Sequence, residues 1–465
     1  MKKIDAKQIE ILKSDPDIFF EFVQTSDEKS IKYVLGRLGR LSASSIIIQE
    51  SLFSLLSHRS IQIRVAAAHN VGKFGDANLL PKLISAFESE TSTEVRTEII
   101  SAIGRMRDHS SLNFLYKTLN DPDPKTVMQA IRGILVFKKD PIVINSLKTL
   151  LSHPNEQIQA IIKPLFEGSI ATSKLKSKSK EPANYLSNTV VRGDVLEVLA
   201  EVADDEIHLT FTSPPYYNAR DYSIYESYGE YIAFLKSVFT EIHRVTREGR
   251  FLIVNTSPVI VSRFSRSHSS RRYPIPFDIH GFMDEIGWEY IDDIIWLKPE
   301  ASVKNRNGGF LQHRKPLGYK PNTVTEMLMV YRKKTIRLID WNMKQYSSEI
   351  IEQSLVPDGY ETTNVWRIDP KYNKIHSAVF PIELCEKIIS YYSFKGDIVF
   401  DPFAGSGTLG KAALALGRSF FLTELNEKYF QLMKDSLPPN ENMFTDKSFN
   451  KIKFISSDDF RNVEK

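Results

Sequence analysis

The hydrophobic residues in the first third of the chain recur at intervals of 32 residues. Two apolar series keep this interval, namely Ile31, Ile63, Val95 and Val127, and Ile48, Leu80, Leu112 and Ile144. Aspartate and glycine keep it as well, at Asp76, Asp108 and Asp140 and at Gly72 and Gly104. Each unit has the spacing of an amphipathic helix, a short turn and a second helix rich in leucine. Since a helix pair cannot bury its apolar faces alone, we expect stacked copies with one continuous core.

This pattern resembles the short HEAT-like repeat family over about residues 25–165. An unrelated helical bundle with accidental periodicity is the alternative, and three series in phase favour the repeat. We therefore predict an all-α HEAT-like domain over residues 1–167. Such stacks offer a concave surface. The sequence does not choose between a protein partner and DNA flanking a target as the occupant of that surface.

The pattern of the chain changes after the repeats. Residues 168–183 contain a run of alternating serine and lysine without an apolar face, which predicts a flexible linker. Over residues 184–465, helical patterns alternate with short β-rich runs, at 207–212, 251–255, 327–331 and 397–400. This alternation predicts an open, mostly parallel α/β sheet. In such sheets, ligands bind beyond the carboxyl ends of the strands.

Composition narrows the class of protein. The chain is 42% hydrophobic and 25% charged, as is ordinary for a globular protein, and no apolar run approaches the roughly 20 residues of a membrane helix. The first residues do not form a secretory signal. The single cysteine, Cys385, excludes intrachain disulfides and a cysteine metal cluster, so we expect a cytoplasmic protein without metal. A net charge of +4 is too small to indicate nucleic acid by itself.

The β-rich run 397–400 leads into a glycine turn that is followed by an Ala- and Leu-rich helical pattern. The turn consists of Asp401, Pro402, Phe403, Ala404, Gly405, Ser406, Gly407 and Thr408. Glycines let the backbone bend sharply and approach a ligand closely. No Gly-Lys-Ser/Thr follows, and Asp401 would repel phosphate, so a ligand with a cationic amino-acid end fits better. The next run ends at Glu424, which could accept two hydrogen bonds from ribose hydroxyls, or merely cap a helix.

The β-rich run 207–212 ends in a second motif, Ser213, Pro214, Pro215 and Tyr216. Two consecutive prolines make a rigid break and leave carbonyl groups without strand partners. We expect the Ser213 hydroxyl and the Pro214 carbonyl to accept the two hydrogens of a base amine, so that its lone pair points at a methyl donor. Tyr216 would stack on a base that has been turned out of the duplex. By itself, such a tetrapeptide is most simply a loop.

Together, the two motifs resemble those of the amino-group DNA methyltransferases, over about residues 188–435. The tetrapeptide precedes the glycine turn, as in the β-class order. The resemblance implies a seven-stranded, Rossmann-like methyltransferase sheet with one antiparallel strand, S-adenosylmethionine as cofactor and double-stranded DNA as partner. It also implies that Asp194 lies near the cofactor adenine and that His376 and Phe380 belong to a segment closing over the methionine part. A target-recognition region is expected over residues 332–375.

The resemblance leaves the target base open. Serine at the first position of the tetrapeptide usually accompanies cytosine N4 in this family, whereas adenine N6 is the alternative. Cytosine C5 chemistry needs a thiolate, and Cys385 lies in an amphipathic helical pattern without a neighbouring base, so we reject it. RNA methylation and a non-catalytic scaffold are further alternatives. The intact motifs speak against the scaffold.

Two basic loops lie between the motifs, on the expected ligand side of the sheet. Their cations are Arg263, Arg266, Arg271 and Arg272 in one loop and Arg306, Arg314 and Lys315 in the other, beside Lys304. Contacts from such residues to phosphates supply affinity and register, whereas base edges supply sequence choice. We expect these loops to hold DNA, with solvated loops as the alternative.

Overall fold

The structure is a computed structural model in which residues 4–38, 48–73, 77–171, 183–217, 225–261, 265, 267–268, 270–303, 305–306, 308–319, 321–370, 380–437 and 452–463 are described. The chain divides into two compact units, Met1–Lys176 and Ser177–Lys465, each with its own hydrophobic core. None of the described helices has both the length and the apolar character needed to cross a bilayer.

The first unit is entirely helical in its described residues. Its helices are α1 (Ala6–Ser14), α2 (Pro16–Thr25), α3 (Glu28–Leu35), α4 (Gln49–Ser54), α5 (Ile61–Val71), α6 (Leu80–Ser89), α7 (Thr93–Met106), α8 (Leu112–Thr118), α9 (Pro124–Ile134), α10 (Pro141–Lys148) and α11 (Glu156–Ala171). The first apolar series of the sequence, from Ile31 to Val127, is buried in the shared core. The stacked helix pairs that the periodicity predicts are therefore present.

The periodic aspartates and glycines have distinct structural roles. The Asp108 and Asp140 carboxylates begin helical segments by accepting hydrogen bonds from the N–H groups of Ser110 and Ile142, each at 2.8 Å. Gly104 lies where α7 packs on α9, and a Cβ there would stand 2.9 Å from the Gly133 Cα. A larger residue would force these two helices apart. Asp76 lies outside the described residues.

The last helix of this unit extends further than the sequence indicated. We predicted a linker over residues 168–183, but α11 continues through Gly168 to Ala171. A single glycine inside a helix costs only about 1 kcal/mol relative to alanine, so it does not have to end the helix. The serine- and lysine-rich residues that follow lie outside the described residues.

The second unit contains eleven described strands and ten helices. The strands are β1 (Thr189–Arg192), β2 (Ile207–Thr212), β3 (Thr246–Thr256), β4 (Val259–Val261), β5 (Arg271–Tyr273), β6 (Trp288–Leu297), β7 (Thr325–Lys333), β8 (Val365–Arg367), β9 (Ile398–Asp401), β10 (Ser419–Glu424) and β11 (Lys453–Ser456). The helices are α12 (Val195–Ala200), α13 (Tyr228–Val245), α14 (Ile275–Ile286), α15 (Gly308–His313), α16 (Ile339–Met343), α17 (Ser348–Gln353), α18 (Ile382–Tyr392), α19 (Thr408–Ala415), α20 (Glu427–Ser436) and α21 (Ser457–Arg461).

Nine of these strands form one sheet, in the order β11-β1-β10-β9-β2-β3-β7-β6-β8, while β4 and β5 form a separate hairpin. In the described sheet, β7 is antiparallel to both of its neighbours and all other pairings are parallel. The seven strands from β1 to β6 in this order match the expected sheet, and β11 and β8 add one short strand at each side. The expected fold class is confirmed.

The two faces of the sheet are covered by different helices. In β9, Ile398 and Phe400 pack into the cluster that contains α12, α13, α14 and α21, whereas Val399 packs into the cluster that contains α18, α19 and α20. This alternation follows from the two-residue period of a strand. Both faces are therefore buried, and a ligand can approach the sheet only at the ends of its strands.

All parallel strands of the sheet end on the same side. We call this side, marked by Thr212, Thr256, Leu297 and Asp401, the upper edge, and the opposite side the lower edge. Because β7 runs the other way, it begins at the upper edge with Thr325. The upper edge is where the sequence motifs fall.

A buried polar network closes the lower edge. Arg250 forms an ion pair with Asp397, and both residues are at most 5% exposed. Burial alone would raise the pKa of Asp397, but Arg250 lowers it below its ordinary value. The Tyr346 hydroxyl donates to the same carboxylate at 2.5 Å, and its ring stacks on Phe394 with centroids 4.2 Å apart. This network fixes the segment around Tyr346 at the lower edge.

Candidate active site

A cavity of about 280 Å³ lies at the upper edge, between the ends of β2 and β9. It is lined by both sequence motifs. The predicted residues among its lining are Asp194, Ser213, Pro214, Pro215, Tyr216, Phe380, Asp401, Pro402, Phe403, Ala404, Gly405, Ser406, Thr408 and Glu424. The structure thus brings together residues that are far apart in the sequence, since β2 and β9 are adjacent parallel strands.

Asp401, the last residue of β9, is 2% exposed. One of its carboxylate oxygens accepts hydrogen bonds from the Thr212 hydroxyl at 2.8 Å and from the Phe403 N–H at 3.0 Å. Burial nevertheless raises the pKa of Asp401 to about 7, because the two bonds do not compensate for lost hydration and the nearby Glu424 raises the pKa further. A cation in the cavity would favour the ionised form of this carboxyl group.

The glycine turn follows directly. Gly405 and Gly407 have φ angles of +54° and +74°, which glycine adopts without strain. A Cβ on Gly407 would also stand 2.9 Å from Met433. Gly407 itself is not among the residues that line the cavity, so its role here is to shape the turn.

Glu424 ends β10 beside this turn. Its two carboxylate oxygens accept hydrogen bonds from the N–H groups of Gly405 and Asn426, each at 2.8 Å. Burial raises the pKa of Glu424 despite these bonds. A carboxylate has further lone pairs, so Glu424 can still accept bonds from a ligand's hydroxyl groups.

Of the three remaining residues predicted to bind the cofactor, the structure describes Asp194 and Phe380. Asp194 follows β1 and begins α12, where its carboxylate accepts from the Leu196 N–H at 2.8 Å. The Phe380 ring stacks on Phe211, with centroids 4.5 Å apart, and forms part of the cavity wall. His376 lies outside the described residues.

The tetrapeptide forms the opposite wall. Pro214 is buried, while Ser213 and Tyr216 are half-buried. The Tyr216 hydroxyl donates to Glu326 Oε2 at 3.3 Å, and the side chains of Ser213 and Ser257 hydrogen-bond the same hydroxyl. Burial, and then the charge of Glu326, raise the pKa of Tyr216 well above its ordinary value. Tyr216 therefore stays a neutral phenol.

Sequence reasoning missed Ser257 and three further residues that support Tyr216, namely Glu326, Lys298 and Asn255. Glu326 forms an ion pair with Lys298 and accepts a hydrogen bond from Asn255 Nδ2 at 2.6 Å. Asn255 is 1% exposed, and its Oδ1 has no hydrogen-bond partner among the described atoms. A signal for two of them was available, since Asn255 ends one predicted β-rich run and Glu326 directly precedes another.

The only cysteine, Cys385, is not among the residues that line the cavity. Cys385 is fully buried in α18, and burial raises the pKa of its thiol well above the ordinary value. A thiol that resists ionisation is a poor nucleophile. In addition, no group of three or more His, Cys, Asp or Glu side chains suited to a metal ion occurs within the described ranges.

The two basic loops follow β3 and β6, whose carboxyl ends lie at the upper edge. Arg271 and Arg272 lie in β5, which pairs with β4, and both are exposed. Burial, and then the charge of Arg272, lower the pKa of Arg306. Arg314 and Lys315 are exposed, while Arg263 and Arg266 lie outside the described residues.

Comparison with known proteins agrees with this arrangement. Residues 207–435 match a family model described as DNA methylase. Residues 49–135 and 80–162 match a family model described as HEAT repeats. The first match contains Ser213–Tyr216, the glycine turn and Glu424, and the second contains most of the 32-residue periodicity.

Several similar curated proteins are named as Type II methyltransferases. M.BslI of Bacillus sp. (strain NEB-606), a Type II beta methyltransferase, is 28% identical over 272 residues, which cover 55% of this chain and 29% of that protein. M.Cfr9I of Citrobacter freundii is 27% identical over 311 residues, which cover 59% of this chain and 95% of that protein.

Solved structures are also similar to this chain. A putative DNA modification methylase of Thermus thermophilus, in complex with S-adenosyl-L-methionine, is 28% identical with a TM-score of 0.45, covering 58% of this chain and 96% of that one. The PvuII DNA methyltransferase (cytosine-N4-specific) is 19% identical with a TM-score of 0.40, covering 62% of this chain and 98% of that one.

The raised pKa of Asp401 predicts a pH-dependent stability difference. The protonated carboxyl favours the folded state, so its contribution is fully present below the ordinary value of 3.8 and is lost as the pH rises through about 7. From about pH 5 to about pH 8, the thermal unfolding midpoint of the ligand-free wild type should fall relative to that of Asp401→Asn. If the unfolding midpoints of wild type and Asp401→Asn changed with pH in parallel, this prediction would be contradicted. The exposed Asp358→Asn is the control and should run parallel to wild type.

Proposed function

Since residues 207–435 belong to the DNA methylase family, we propose that this chain transfers a methyl group from S-adenosylmethionine to the exocyclic N4 amine of cytosine in DNA. The observation that carries the proposal is the single cavity shared by Ser213–Tyr216 and the glycine turn. Direct transfer requires the methyl donor and the amine to meet in one enclosed space. Adenine N6 is the alternative target.

The chemistry of the cavity fits S-adenosylmethionine, which supplies an electrophilic methyl group when bound. The ionised Asp401 carboxylate would hold its ammonium group, since burial makes an opposite charge there favourable. Glu424 would accept bonds from its ribose hydroxyls, while Asp194 would lie near its adenine. The aromatic side chains of Phe380 and Phe403 provide apolar walls for the remainder.

The hydrogen-bond chain at Tyr216 orients the acceptor for the amine. Because Glu326 pairs with Lys298, its carboxylate can only accept, so the Tyr216 hydroxyl donates to it. The Tyr216 oxygen then accepts from Ser213. Ser213 lines the cavity, and its hydroxyl would keep its lone pairs as acceptors for an amine hydrogen.

With this arrangement, no strong base is required. The Ser213 hydroxyl and the Pro214 carbonyl would each accept one amine hydrogen, which directs the nitrogen lone pair toward the methyl group. Tyr216, half-buried in the cavity wall, would stack on the base after it leaves the duplex. The proton lost on methylation would pass to solvent.

The choice of cytosine N4 rests on Ser213, because serine at this position usually accompanies that target in the family that the chain resembles. The geometry of the cavity is compatible with either the cytosine N4 amine or the adenine N6 amine. The deciding experiment is to incubate the purified chain with S-adenosylmethionine and unmethylated duplex DNA, hydrolyse the DNA, and identify the modified nucleoside by mass spectrometry. We expect N4-methylcytosine. N6-methyladenine alone would establish the alternative, whereas methylation of RNA instead of DNA, or of neither, would refute the proposal.

Substitutions at the tetrapeptide should separate chemistry from cofactor binding. Ser213→Ala and Tyr216→Ala should lower methyl transfer to DNA by at least about a hundredfold, because each removes an orienting contact at the reacting amine. Tyr216→Phe keeps the aromatic ring that would stack on the base and loses only the hydroxyl group with its hydrogen bonds, so it should lose less activity than Tyr216→Ala. S-adenosylmethionine affinity, measured by calorimetry, should change little in all three. Normal turnover by Ser213→Ala and Tyr216→Ala would refute the assignment.

Neutralising Arg271 and Arg272 together should weaken binding to duplexes of every sequence. Each lost phosphate contact should also flatten the slope of log affinity against log salt by about 0.9. Fluorescence anisotropy with two unrelated duplexes, over a series of salt concentrations, measures both effects. Lys344→Gln, on the exposed surface near the lower edge, is the control and should keep the wild-type slope. A double variant with an unchanged slope would rule out the phosphate contacts.

The repeat unit has a separate proposed role. Its HEAT repeats provide a surface for a partner protein or for DNA beside the target.

A further inference from the structure

A second cavity, of about 510 Å³, opens at the upper edge beside the ends of β6 and β8. None of its lining residues lines the first cavity. Its polar side chains are Lys298, Glu300, Tyr319, Asn322, Arg367 and Asp369. Apart from Lys298, which pairs with Glu326, the function proposed for the first cavity does not use any of these cationic, acidic, amide and aromatic side chains.

We propose that this second cavity reads the DNA bases that flank the target base. The inference rests on the proposed function, because it assumes that the substrate is duplex DNA. It assigns sequence choice to the ends of β6 and β8 and to the loop before β7.

The position of the cavity suits this role. The strands β2, β3, β7 and β6 are successive neighbours, so the end of β6 lies three strand spacings, or roughly 14 Å, from the tetrapeptide. That is about the length of four nucleotide steps along one strand of DNA. The two cavities are also physically linked, since Glu326 accepts from Tyr216 on one side and pairs with Lys298 on the other.

The side chains of the cavity divide into fixed and free groups. Lys298 is held by Glu326, and the Asn322 amide donates to Glu300 at 2.8 Å. In contrast, the exposed side chains of Arg367 and Asp369 make no hydrogen bond or ion pair with any described residue. These two charged groups are therefore free to contact a ligand.

The end of β8 and the residues just after it present the two free groups. Trp366 and Ile368 are buried, and the Trp296 indole donates to the Ile368 carbonyl at 2.8 Å. Arg367, the last residue of β8, and Asp369, two residues further on, are exposed and line the cavity. Arginine recognises guanine and aspartate recognises the cytosine amine in the major groove. A guanidinium at the end of β8 and a carboxylate two residues further on match the two members of a G·C pair.

One basic loop is tied to a residue of this cavity. The Arg306 N–H donates to Asn322 Oδ1 at 2.6 Å, and Asn322 lines the second cavity. Cations beside a base-reading pocket would contact the phosphates that set its register.

Most of the described residues in the expected target-recognition region, 332–375, are bound to parts of the protein away from the second cavity. Tyr346 is fixed to Asp397 at the lower edge, and the Ser354 hydroxyl accepts from the Lys395 N–H at 2.9 Å nearby. Glu361 is tied to Lys387 in α18. Of the described residues in this region, those from β8 onward, 365–370, return to the upper edge. The structure therefore favours the second cavity over residues 334–361.

The test is a comparison of methylated sequences. Wild type and variants of the full chain are incubated with genomic DNA, and the modified sites are mapped by sequencing. Arg367→Gln and Asp369→Asn should each relax discrimination at one position of the recognised sequence by roughly tenfold or more, because a good base contact contributes about 1–3 kcal/mol. Lys344→Gln and Asp358→Asn, exposed in the region 332–375, are matched controls and should keep the wild-type sequence.

The outcomes separate this inference from the proposed function. If the wild type methylates DNA but Arg367→Gln and Asp369→Asn retain its full sequence choice, the reading role is overturned. The same holds if the two controls change that choice. Arg367→Lys keeps the positive charge but loses the bidentate guanidinium donor, so it should relax discrimination between bases even if Arg367→Gln is inactive. A wild type that methylates no DNA would overturn the proposed function itself.

Discussion

The site depends on one constraint, namely that β2 and β9 are adjacent and parallel. Their carboxyl ends must then emerge side by side, although they lie 189 residues apart in the chain at Thr212 and Asp401. The hydrogen bond between these two residues, 2.8 Å long, ties the strand ends together. Because both faces of the sheet are covered by helices, this edge is where backbone and side-chain polar groups are left for a ligand.

The two ends of β9 show how the same residue type serves different purposes. Asp397, just before the strand, and Asp401, at its end, are both buried, yet their pKa values move in opposite directions. Arg250 neutralises Asp397 at the lower edge, where the network stabilises the fold. No described cation pairs with Asp401 at the upper edge, so the cost of burying its charge remains until a cationic ligand arrives.

Much of this could be predicted from the sequence. The 32-residue period predicts the repeats because each repeat packs the same positions, and the run 207–212 coincides with β2 because apolar and β-branched residues end at a proline pair. Local signals of this kind also locate both motifs at strand ends. The end of α11 was missed because the linker, predicted from the run of serine and lysine, was drawn to begin at residue 168, whereas the helix continues to Ala171.

Contacts between distant segments could not be predicted in the same way. The chain Ser213–Tyr216–Glu326 joins residues on β7 and on the loop after β2, and no local pattern states which residues will meet. The lower-edge position of Tyr346 is of the same kind, since it depends on a carboxylate 51 residues later. Residues 332–375, which the family resemblance implies as one recognition region, contain both Tyr346 at the lower edge and Arg367 at the upper edge.

The central claim is that a methyl donor and a base amine meet between the proline pair and the glycine turn. The most direct measurement is a crystal structure of the full chain with an unreactive analogue of S-adenosylmethionine. We predict that the analogue lies between Pro214 and Gly405, with its amino-acid end at Asp401 and its sulfonium-equivalent atom facing Ser213. An analogue bound elsewhere, with this cavity empty, would contradict the account.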